Sequence, residues 1–149
     1  MVQQYRNIYQ IARESTGFTQ EKASELIGIS IDSIRAYEGG KRIPPDNTVI
    51  KMIEIYDTQY LAYQHLKTKS KVGDIILPDL EIMNLSVAIL KLHKEVKDFV
   101  ECEDLLIKIG SNGKVDDDEL DDFKKIMKQL DEVVEAIMTL KYSKKRGEL

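Results

Sequence analysis

The chain has 149 residues, 42% hydrophobic and 32% charged, with three prolines and no tryptophan. That is enough to bury a core as one domain or two small ones, and too apolar for wholesale disorder. Abundant Leu, Ile, Lys and Glu lean helical, and Cys102, the only cysteine, excludes an internal disulfide or a cysteine metal cluster. The sequence opens without an apolar leader, and no apolar run approaches the roughly 18 residues that a membrane span needs. The expectation is a cytoplasmic protein. The net charge of −4 falls entirely in the second half. Residues 1–68 carry eight cationic and eight acidic side chains, whereas residues 69–149 carry fourteen and eighteen. A neutral first half can still hold a polyanion where its few cations cluster, as Arg35, Lys41 and Arg42 do.

In chain order, Ile8, Ile11 and Ala12 share one face of a helix expected from about Gln4 to Ser15, ended by Gly17. Thr19 is placed to cap a second helix, Gln20 to Ile27, stopped by Gly28. Ser30 caps a third, Ile31 to Glu38, closed by Gly39 and Gly40. After the Pro44-Pro45 loop, Asp46 or Asn47 opens a fourth helix through Tyr56, and a fifth runs from about Thr58 to Lys67. Five helices with short connections make one small domain over residues 1–67. Residues 68–78 are polar and broken and read as a linker.

The second half, residues 79–149, has a longer rhythm. Apolar residues recur at 85, 89, 92, 96, 99, 102, 106 and 109 in alternating steps of three and four, the seam of a long helix between Leu80 and Ile109. Gly110 and Gly113 bracket a turn. Asp116 is placed to cap a second long helix, with Glu119 completing a capping box, and Leu120, Phe123, Met127, Leu130, Val134 and Ile137 repeat the seam. The pattern is an antiparallel helical hairpin. It either packs on the first domain or pairs with a second copy through residues 80–140 as a dimeric four-helix bundle.

The informative stretch runs from Thr19 to Glu38. Two short helices meet at Gly28, where a sharp turn disfavours a side chain. Ala23 and Ser24 are small where the helices must approach, and Ile29 and Ile34 point inward. Ile31, Asp32, Ser33, Arg35 and Ala36 are left outward near the start of the third helix. A helix in the major groove offers such residues to base edges, and its N-terminal N–H groups favour phosphate.

The stretch resembles the Cro and phage-repressor (XRE-type) family of helix-turn-helix regulators from bacteria and phage. The resemblance covers about residues 5–66. It is carried by Thr19-Gln20, Gly28-Ile29-Ser30, Ser33-Ile34, Tyr37-Glu38, and Gly40-Lys41-Arg42 with Pro44. It implies an all-α protein with a five-helix lambda-repressor-like DNA-binding domain, here followed by the hairpin. It also implies a regulator, a repressor above all, that binds a palindromic double-stranded operator. Gln20 then contacts a phosphate, and Ser30, Ile31, Asp32, Ser33, Arg35 and Ala36 line the DNA-facing edge. Arg35 is open between base and phosphate, and Lys41 and Arg42 become backbone contacts. Arg13 and Glu38 match a structural ion pair of the family. Family members often carry Gln, Asn, Arg or Lys where this chain has Ile31, Asp32 and Ala36, and Asp32 repels phosphate.

Other features imply less. The run from Asn112 to Glu119 imitates the end of a calcium loop. With Glu119 as its last ligand, however, Lys108 and Gly110 fall where ligand oxygens are needed. Asp116–Glu119 are better explained as acids at a helix N-terminus. His65 and His93 read as surface or boundary side chains, the many tyrosines as core and domain-edge packing, and Lys141, Lys144, Lys145 and Arg146 as a charged helix end. No nucleophile–base constellation or phosphate-binding glycine loop is legible, and the second half is too short and helical for a self-cleaving repressor domain. No enzyme, cofactor or metal is expected. A different class of function stays open: a protein-interaction module, such as an antitoxin or an anti-repressor target, whose hairpin binds another protein.

Overall fold

The structure, a computed structural model, describes residues 7–143. These form eight helices and no strand: α1 (Ile8–Ser15), α2 (Gln20–Ile27), α3 (Ile31–Glu38), α4 (Asp46–Tyr56), α5 (Gln59–Lys69), α6 (Lys71–Ile76), α7 (Leu85–Gly110) and α8 (Leu120–Tyr142). Among the described residues, no helix is long and apolar enough to cross a membrane. The chain divides into two units between Leu77 and Pro78.

Local chemistry sets the helix ends of the first unit. Asn7 Oδ1 accepts from Gln10 N–H at 3.1 Å, so α1 starts at Ile8 rather than near Gln4, which lies outside the described residues. Thr19 accepts from Lys22 N–H and Ser30 from Ser33 N–H, each at 3.1 Å, as N-caps do. Gly28 ends α2 with φ 76°, a left-handed turn that only glycine adopts freely. The helices close over Tyr9, Ala12, Ala23, Ile27, Ile34, Val49, Met52, Tyr56 and Leu61. His65, expected near the surface, is buried. Its Nδ1 meets Tyr9 Oη at 2.7 Å, and its Nε2 meets Asp46 Oδ1 at 3.2 Å, joining α1, α4 and α5. Asp46 also pairs with Lys69 at 2.7 Å, and these partners, Lys69 first, hold its carboxyl below the ordinary range.

The segment expected as a linker carries α6. Ser70 caps it by accepting from Gly73 N–H at 3.3 Å. Gly73 lies so near α5 that a Cβ there would sit 2.2 Å from the Leu66 carbonyl oxygen. Lys67 Nζ then donates to the Leu77 carbonyl at 2.9 Å. A glycine that looks like a helix breaker therefore lets two helices touch.

In the second unit α7 packs against α8. Asn84 caps α7 by accepting from Val87 N–H at 3.0 Å, so the helix begins at Leu85 rather than Leu80. The capping box at Asp116 forms only in half. Glu119 accepts from Asp116 N–H at 3.1 Å, but the Asp116 carboxylate is held by Asn112 and Lys114, each at 3.0 Å. Residues 117–119 form a turn, and α8 starts at Leu120.

The hairpin interior differs from the expected seam. Ala88, Glu95 and Ile109 of α7 and Ile126, Ala136 and Thr139 of α8 are buried. Lys91 Nζ meets Glu135 at 2.5 Å, and Gln129 Nε2 donates to Glu95 at 3.4 Å. Of the expected seam, Leu85, Ile89, Val96, Leu120, Val134 and Ile137 are exposed. Leu92, Phe99, Leu106, Phe123, Met127 and Leu130 are half-buried. The helices meet along a stripe one helical step from the apolar one. A shallow depression between the helices is lined by Asp98, Cys102, Leu105, Asp122, Lys125, Ile126 and Gln129. In an antiparallel pair of right-handed helices, turning the same way on each leads to the same side. The two apolar stripes are therefore turned toward the same side of the pair.

Candidate nucleic-acid interface

Helices α2 and α3 are joined by Gly28, Ile29 and Ser30. Ala23 and Ile34 are completely buried between them, and Ser24 Oγ donates to the Ile29 carbonyl at 2.6 Å. The turn is thus fixed by a small residue, a side-chain bond and an N-cap. Lys51 Nζ, 3.2 Å from the Ile27 carbonyl, satisfies the end of α2 from α4. Nothing in the local sequence around either residue signals that bond.

The Arg13–Glu38 pair anchors α3 to α1. Arg13 Nε and Nη2 donate to the two Glu38 carboxylate oxygens at 2.6 and 3.0 Å, and Nη1 donates to the Phe18 carbonyl at 2.5 Å. Both residues are buried, and the hydrogen bonds to Glu38 hold the guanidinium in its charged form. Gln20 Nε2 adds a third donor to Glu38, at 2.8 Å. Asn7 Nδ2 donates to the Tyr37 carbonyl. The end of α3 is therefore tied to both α1 and α2.

The free edge of α3 holds Ile31, Ser33 and Ala36, half-buried, with Asp32 and Arg35 exposed. Arg35 Nη1 pairs with Asp32 at 3.4 Å. The following loop folds back on the helix, with Lys41 and Arg42 N–H groups donating to the Ala36 carbonyl at 2.9 and 3.2 Å. Lys41 and Arg42 are exposed. The Arg42 guanidinium lies 5.3 Å from the centre of the Tyr37 ring, and its Nη2 donates to Ser33 Oγ at 3.1 Å. Every expected DNA-facing residue except Gln20, which is turned toward Glu38, thus stands on α3, its cap or the loop beside it. Nothing in the local sequence signals the contact between Tyr37 and Arg42.

Residues 10–61 match the family model described as helix-turn-helix. That segment is a helix-turn-helix domain of the XRE type. Domains of this type belong to DNA-binding transcription regulators, with α3 in the position of the recognition helix. The match ends before α6 and leaves α7 and α8 outside it. No curated protein and no solved structure matches the chain.

Proposed function

We propose that the protein is a sequence-specific double-stranded DNA-binding repressor that acts in the cytoplasm as a homodimer on a palindromic operator. The observation that carries this reading is the free edge of α3. A capped first turn presents Ile31, Asp32, Ser33 and Ala36 on a helix braced by Arg13, Gln20 and Glu38. Ile31 and Ala36 suit a thymine methyl, and Asp32 suits the cytosine amino group. Ser30 and the helix N-terminus favour a nearby phosphate, and Gln20, with one amide N–H held by Glu38, offers the other to a second one. Arg35 exchanges Asp32 for DNA. Lys41 contacts the backbone, so Lys41→Ala weakens binding to all sequences alike and reduces the salt slope by about one.

The apolar face of α7 and α8 supports the dimer. The 26 residues of α7 span about 39 Å at about 1.5 Å each, and two helices side by side are about 20 Å wide. The resulting face is about 800 Å², about what one partner buries in a standard stable interface. A second hairpin offers the same shape and chemistry, which is what a two-fold interface requires.

Selection from a random duplex pool, with the protein's mass measured by light scattering, tests both parts. An inverted repeat and a dimer are the expected results. A monomer that selects no sequence, even at low salt, overturns the reading and favours an interaction module with a foreign partner on the hairpin.

A further inference from the structure

Of the three exposed cations beside the recognition helix, Arg42 is held differently from the others. Lys41 is exposed on the loop, and Arg35 is paired with Asp32 one turn earlier on the helix. Arg42 folds back across nine residues. Its Nη2 donates to Ser33 Oγ at 3.1 Å, and its guanidinium lies over Tyr37, 5.3 Å from the ring centre. Each part of the support is itself fixed. Tyr37 is buried in the core, so its ring cannot move aside. Ser33 Oγ is 2.9 Å from Oγ of the N-cap Ser30. The loop beneath is bonded to the Ala36 carbonyl through two N–H groups. Ser33 and Tyr37, four residues apart, form a ridge along α3, and the guanidinium is laid along it.

We infer that Arg42 is a base-reading residue of the recognition helix, selecting guanine, and that Ser33 is the residue that positions it. A backbone contact needs a cation free to reach the flanking strand, and Lys41 is exposed on the loop. Arg42 instead brings its guanidinium to the first turn of α3, the part of a recognition helix that meets base edges. One donor holds Ser33, and the planar fork retains further N–H groups for the O6 and N7 acceptors of guanine, the commonest specific pairing of arginine in the major groove. The Tyr37 ring beneath the guanidinium holds it against the helix by a cation–π contact. The arrangement also explains a first turn of Ile31, Asp32 and Ser33, with no long polar reader: the reader comes from the loop.

The inference rests on the DNA-binding reading, and the experiment separates the two. Wild type, Arg42→Ala, Arg42→Lys, Ser33→Ala and the Arg42→Ala/Ser33→Ala double variant are each put through selection from a random duplex pool. Affinities follow on the selected duplex and on a scrambled one, and thermal melting checks the fold. Wild type is expected to select guanine at one position in each half-site. Arg42→Ala loses that preference and about 5- to 150-fold in affinity for the selected duplex, with a smaller loss on the scrambled one. Arg42→Lys does not restore the preference. Ser33→Ala loses less at the same position, and the double variant behaves like Arg42→Ala alone. Equal losses on both duplexes with a reduced salt slope make Arg42 a phosphate contact and overturn the inference. So do losses from Ser33→Ala and Arg42→Ala that multiply. A wild type that selects no sequence overturns the DNA-binding reading itself.

Discussion

The two units solve the same problem of burying helices in opposite ways. In the first, large apolar side chains (Ile27, Ile34, Met52, Leu61) are inside, and a buried ion pair locks α3 to α1. In the second, the interior includes alanines, a threonine and Glu95, while valines, leucines and isoleucines stand outside. A six-helix unit can surround its apolar residues, but two helices alone present only one stripe each to one another. The first unit encloses a core of large apolar side chains, whereas in the second many of them are exposed or half-buried among the described residues.

The largest expected effect breaks the first unit. Arg13→Ala leaves Glu38 buried with Gln20 as its remaining side-chain donor, and the loss is about 3–5 kcal/mol in urea unfolding. A loss below 1 kcal/mol would mean that the pair does not hold α3 in place. Ala136→Leu sharpens the contrast in the hairpin. Ala136 is fully buried where α8 meets α7, and a larger side chain costs about 1–3 kcal/mol by overpacking. Val134→Leu, on the exposed face, changes the isolated chain little. If the two substitutions cost the same, the hairpin interior has been placed on the wrong stripe.

Thr139 gives a smaller effect of opposite sign. Its Oγ1 is buried without a hydrogen-bond partner among the described residues, so Thr139→Val stabilises the hairpin by about 1 kcal/mol. Loss of stability on that change would imply a partner for the hydroxyl. The smallest effect depends on pH. Burial pushes the phenols of Tyr9 and Tyr56 up to about 12, above an unfolded value of about 10. Their contribution is complete below about pH 10 and is lost as pH rises toward 12. Tyr56→Phe therefore makes the alkaline fall in stability shallower, as tyrosinate absorbance and melting would record. An unchanged slope would show that Tyr56 ionises as freely as in the unfolded chain.

How legible each region was follows from the same contrast. Thr19, Gly28 and Ser30 act on groups within three or four residues, so α2, the turn and α3 could be read from sequence. The Arg13–Glu38 pair was implied by resemblance rather than by spacing. The bond from Asn7 to the Tyr37 carbonyl and the close approach of Gly73 to Leu66 are not legible in the sequence, because each depends on a partner that only the fold brings close. Glu38 and Gln20 illustrate this best, since a carboxylate with three donors is invisible from eighteen residues away. In the hairpin, the apolar stripe was expected to be the seam between the helices, but of its residues only Ile109 is fully buried. Which edge of a wide amphipathic stripe meets the neighbouring helix is decided by packing, and small Ala88 and Ala136 let the helices approach beside it.

Binding to paired half-sites of DNA is the central expectation. Hydroxyl-radical and methylation footprinting on the selected duplex is the most direct measurement. The expected result is two protected major-groove half-sites about 34 Å apart, one helical turn, lost together when the hairpin face is charged by Val96→Glu with Val134→Glu. Protection that is uniform along any duplex, or absent at low salt from folded protein, would contradict it.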